Sequence, residues 1–100
     1  MAYAVENALF QWEEGERRLR ASGELRLQAA ADAVFEELRR RLGGPFKLSE
    51  LADLYGAGTD WATDIAERRF ASTDASFVVD AAFGRYARFA SDYAGGRRYE

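Results

Sequence analysis

One hundred residues, 48% of them hydrophobic and 14% aromatic, suffice for one domain with a continuous core, and the net charge is only −3. The chain has no cysteine and no histidine, which excludes disulfides, thiolate nucleophiles, Cys/His zinc sites and histidine acid–base chemistry. No stretch approaches the ~20 apolar residues of a membrane span, and neither half of the chain is a basic lobe.

Val5, Leu9, Trp12 and Leu19 recur at helical spacing and predict a first helix from about Tyr3 to Leu19. Gly15 interrupts this stripe, at a cost of about 1 kcal/mol relative to alanine. The opposite face carries Glu13, Glu14 and Glu16 four residues ahead of Arg17, Arg18 and Arg20, the favourable order for helical ion pairs. Ala21-Ser22-Gly23 reads as a break, with Ser22 as the N-cap of a second helix from Glu24 to Leu42. That helix buries Leu27, Ala31, Val34, Leu38 and Leu42, with Phe35 widening the stripe. Glu36 with Arg40 and Glu37 with Arg41 repeat the surface pairing. Gly43-Gly44-Pro45 ends the helix, glycine permitting a left-handed cap and proline refusing continuation. The two helices are expected to form a long antiparallel hairpin.

Further along, Ser49 is placed to cap a short helix ending at Tyr55, and Gly56-Ala57-Gly58 reads as a turn. Thr59 or Asp60 caps the next helix, with Trp61, Ala62, Ile65, Ala66 and Phe70 facing inward. A cap cluster, Ala71-Ser72-Thr73-Asp74, precedes a last helix from Asp74 to Ala94. There Phe77, Val78, Val79, Ala81, Ala82, Phe83, Tyr86, Ala87, Phe89, Ala90 and Tyr93 leave a narrow polar strip that includes Asp80, Arg85, Arg88 and Asp92. A helix so apolar around its circumference is central, or lies against another subunit. The expected architecture is one all-α domain over residues 1–96. It is a compact bundle of about five helices: the long hairpin, two short helices and a buried C-terminal helix, with a flexible tail at 97–100.

Four patterns could carry chemistry. Residues 48–70 resemble a helix-turn-helix unit, but its second helix would present Asp60, Asp64 and Glu67 to a phosphate-lined groove, and Arg68 and Arg69 come late. Those three acids share a helix face, yet no histidine accompanies them and no calcium-loop motif appears, so no metal site is expected. Arg85, Tyr86, Arg88, Asp92 and Tyr93 could grip an anion or anchor an interface, although Arg88 and Asp92 are also an i+4 pair. Tyr3 and Phe10, seven residues apart, lie off the core stripe and suggest an apolar patch awaiting a partner. Walker loops, dinucleotide fingerprints and nucleophile elbows are absent, so neither enzymatic activity nor a cofactor is expected.

The run from Gly43-Gly44-Pro45-Phe46-Lys47-Leu48 through Asp60-Trp61-Ala62, with Asp80-Ala81-Ala82-Phe83-Gly84-Arg85-Tyr86-Ala87-Arg88, resembles small helical proteins of high-GC actinobacterial genomes. The resemblance implies a bacterial setting and carries no activity with it. The expected function is a non-catalytic, cytoplasmic protein-interaction module that either forms a homodimer or docks on a larger protein assembly. Its contacts would come from Tyr3, Phe10, Arg85, Arg88 and Phe89. The alternative is a transcription regulator using residues 48–70 as a helix-turn-helix.

Overall fold

The computed structural model describes residues 5–57, 60–70 and 75–91. Five helices follow in order: α1 (Val5–Ser22), α2 (Leu25–Leu42), α3 (Leu48–Gly56), α4 (Asp60–Phe70) and α5 (Ala75–Ala90). No strand occurs among the described residues, and no described helix is long and apolar enough to cross a membrane. Tyr3, the Ala71–Asp74 cap cluster, Asp92–Ala94 and the 97–100 tail lie outside the described residues.

Helix α5 occupies the middle. Phe77, Val78, Val79, Ala81, Ala82, Phe83, Tyr86, Ala87 and Ala90 are all buried, as its apolar circumference predicts. Helix α1 packs along α5 with the most extensive interface of the fold, and α3 lies against both. Helix α2 packs on another part of α5, and α4 lies against α2 and α5. Helices α1 and α2 follow one another through a short turn, yet each packs chiefly on α5 rather than on its neighbour in sequence. The buried residues Leu9, Trp12 and Leu19 from α1, and Ala31, Val34 and Leu38 from α2, therefore meet the core through α5.

Contact between α1 and α5 depends on small residues. Gly15 sits so close to α5 that an added Cβ would lie 2.6 Å from the Asp80 Cβ, 2.8 Å from the Phe77 carbonyl oxygen and 2.9 Å from the Ala81 nitrogen. What reads in sequence as an interrupted stripe is thus the point of closest approach. Ala8, Ala81, Ala82 and Ala87 are buried as well, so short side chains let the two backbones come together while Trp12 and Phe83 fill the space alongside.

Two caps differ from expectation. Ser22 ends α1 instead of starting α2: its hydroxyl donates to the Leu19 carbonyl at 2.7 Å and accepts the Glu24 N–H at 3.3 Å. Gly23 then turns the chain with φ of 65°, which a residue without Cβ adopts freely. Helix α3 starts at Leu48, one residue before Ser49, because the Glu50 carboxylate reaches back to accept the Lys47 N–H at 3.0 Å. Gly43 ends α2 with φ of 75° and ψ of −118°, a positive-φ conformation outside the left-handed helical cap. The Phe46 N–H then donates to the Ala90 carbonyl at 2.7 Å, fastening the 43–46 segment to the end of α5.

Gly15→Ala should lose stability despite its better helix propensity, because the new methyl meets backbone atoms that cannot rotate away. The expected cost is roughly 2 kcal/mol, a fall in Tm on the order of 10 °C in a thermal melt. Gly84→Ala, whose Cβ would come no nearer than 3.3 Å to the Trp12 Cβ and 3.7 Å to its carbonyl oxygen, should be much milder.

Candidate interaction surface

Two aromatic groups flank α5. The inner one joins α1, α3 and α5: Trp12 stacks on Phe83 at 6.0 Å, and Tyr55 meets both rings edge-on at 5.6 and 5.2 Å. The indole N–H of Trp12 is buried there without an acceptor among the described residues, so Trp12 itself is held by packing. The outer group joins α2, α5 and the 43–46 segment. In it Tyr86 lies 6.2 Å from Phe35, 6.2 Å from Phe89 and 6.4 Å from Phe46. The buried Tyr86 hydroxyl donates to the Gly43 carbonyl, and burial pushes its pKa upward against the pull of Arg39.

Phe89 belongs to the outer group but is 59% exposed. Phe35 meets it edge-on at 5.7 Å, and the Arg39 guanidinium lies 5.0 Å from its centroid. The ring is therefore held from two sides while its remaining surface faces solvent. Phe10 is 65% exposed on α1 and, among the described residues, lacks the ring contacts that hold Phe89. Arg88, one residue before Phe89, is exposed too.

Arg85 plays another part. Its guanidinium donates to Glu16 of α1 at 3.2 Å, to Asp32 of α2 at 2.9 Å and to Gln28 of α2 at 3.4 Å. It ties the two long helices together across α5, so its donors are committed within the fold. Other arginines are similarly engaged. Arg17 pairs with Glu14, Arg20 with Glu16, Arg39 with Glu36, and Arg40 and Arg41 with Glu37. Several of these pairs use three-residue rather than four-residue spacing, and Arg18 lies instead over the Phe77 ring at 4.7 Å.

The 48–70 unit does not assemble as a helix-turn-helix pair would. Helix α3 rests on α1 and α5, α4 rests on α2 and α5, and the two scarcely touch. Arg68 is paired with Asp64 at 2.5 Å. No cluster of three potential metal-ligating side chains occurs among the described residues.

Spacing alone offers no sign of one polar contact, because its partners are 25 residues apart: the Tyr55 hydroxyl donates to Asp80 Oδ1 at 2.7 Å. Asp80 is half-buried where Gly15 abuts α5. Desolvation raises its pKa to about 6, although the Tyr55 hydrogen bond and the charge of Arg18 pull the other way.

No family model, curated protein or solved structure matches the chain. Its function has to be inferred from its own surface.

The raised pKa makes stability depend on pH. Asp80 is harder to ionise in the folded chain than in the unfolded one, so its contribution is fully present below about pH 4 and is lost as pH rises through about 6. Asp80→Asn, which keeps an acceptor for Tyr55, should be more stable than the parent at pH 8. The gain should be roughly 1–2 kcal/mol, allowing for solvent screening, and should vanish near pH 4 in parallel denaturant titrations.

Proposed function

We propose that this chain is a small, non-catalytic interaction module of the bacterial cytoplasm that uses the Phe89 face of α5 as its anchor, toward a second copy or a larger protein assembly. One observation carries the reading: Phe89 is braced by Phe35 and Arg39 yet leaves more than half its surface to solvent. An aromatic ring fixed before binding loses little conformational entropy when a partner covers it, and aromatic residues and arginine are enriched at interfaces. Arg88 lies beside it as a cation for the rim, whereas Arg85 serves as an internal clamp. Phe10 offers a second exposed ring on α1.

Phe89→Asp should keep the parent's helical circular-dichroism signal and melt within about 10 °C of it, because an exposed aromatic pair contributes only ~0.5–1.5 kcal/mol. The same variant should lose at least tenfold in affinity, read by sedimentation velocity for self-association and by pull-down for a heterologous partner. Phe10→Asp tests the secondary contact. If both variants stay folded and keep every association of the parent, the reading fails.

A further inference from the structure

We propose that the groove between the 45–46 segment and the outer face of α3 receives a short segment of a partner protein in which a bulky apolar side chain is flanked by lysine or arginine. This surface is distinct from the Phe89 anchor and does not depend on it.

Helix α3 has two usable faces. Leu48, Leu51 and Ala52 are buried and Tyr55 packs against the core, so the inner face is fully engaged. The outer face presents Glu50, Asp53, Leu54 and Ala57, at the i, i+3, i+4, i+7 spacing that aligns residues in one stripe. With Pro45 and Phe46 these four residues line a groove of about 600 Å³ that is broadly open to solvent. An open groove of this size suits an extended or helical peptide better than an enclosed small molecule. Its floor is apolar, from Pro45, Phe46 and Leu54, and Leu54 is 37% exposed.

The floor is also fixed in place. Phe46 is held by its 2.7 Å backbone hydrogen bond to Ala90, by a parallel bridge to Ser91 and by the Tyr86 ring. A peptide side chain entering the groove would meet a preformed surface and would not have to order a loop. Charge selects the occupant. Among the described residues two carboxylates, Glu50 and Asp53, line the groove, and no cationic side chain does. A cationic flank is therefore attracted and oriented while the apolar residue supplies most of the binding energy. The same carboxylates repel an acidic peptide or a nucleic-acid backbone.

The test is to pan a phage-displayed library of random peptides, each about a dozen residues long, against the full chain. Enriched peptides are then measured against Asp53→Arg, Leu54→Ser and Phe89→Asp variants. Both groove substitutions lie on the exposed face of α3, and thermal melts establish that each variant is folded. The expected result is enrichment of sequences with a large apolar residue between basic ones. Their affinity should fall at least tenfold for Asp53→Arg and for Leu54→Ser and should be unchanged for Phe89→Asp. Enrichment of acidic or uncharged sequences, unchanged affinity for both groove variants, or no enrichment overturns the proposal. Peptides lost only with Phe89→Asp also overturn it, while leaving the Phe89 anchor standing.

Discussion

Helix α5 can sit at the centre only because α1 approaches it closely enough at Gly15 to exclude water from the interface. Side-chain-free contact at that position brings Asp80, Phe77 and Ala81 within van der Waals range of the α1 backbone. It also sets the depth at which Trp12 stacks on Phe83 and the separation across which Arg85 reaches Glu16. A larger residue at Gly15 would push α1 outward and loosen both contacts. Packed interiors transmit such displacements because they contain few voids to absorb them.

The same close approach explains the placement of the polar groups. Asp80 is trapped beside the Gly15 contact, where burial works against its charge and Tyr55 offsets part of that cost through one hydrogen bond. Arg85, one helical turn and a residue further along α5, emerges where both α1 and α2 offer acceptors. A single arginine thereby links two helices that barely touch each other. Its planar fork of donors suits that role better than a lysine would.

Much of the fold is legible in the sequence, and the failures have a physical pattern. Apolar periodicity identifies which face of a helix is buried, so Leu9, Trp12, Val34 and Leu38 are found where their spacing places them. Periodicity does not identify what that face is buried against. The all-round apolarity of α5 marks it as central, and a central helix must be covered on several sides. That demand is met by α1 and α2 separately, which is why sequence neighbours joined by a tight turn do not pack mainly on one another. Phe10 and Phe89 can be picked out as surplus to the core. The bracing of Phe89 by Phe35 and Arg39 cannot, because it depends on how α2 meets α5.

The distribution of charge narrows how the surface can recognise anything. Among the described residues eight arginines, from Arg17 to Arg85, are paired with carboxylates inside the chain, so most of its charge cancels over short distances. Beyond a Debye length of about 8 Å such pairs exert little field on an approaching partner. Long-range steering is therefore weak, and specificity has to come from shape and apolar contact at short range. The exposed ring of Phe89 and the groove beside Leu54 supply apolar contact. They differ in the charge at their edges: Arg39 and Arg88 lie near Phe89, while Glu50 and Asp53 border the groove. If both surfaces bind as proposed, their opposite rims would discriminate between partners even though the overall charge is close to neutral.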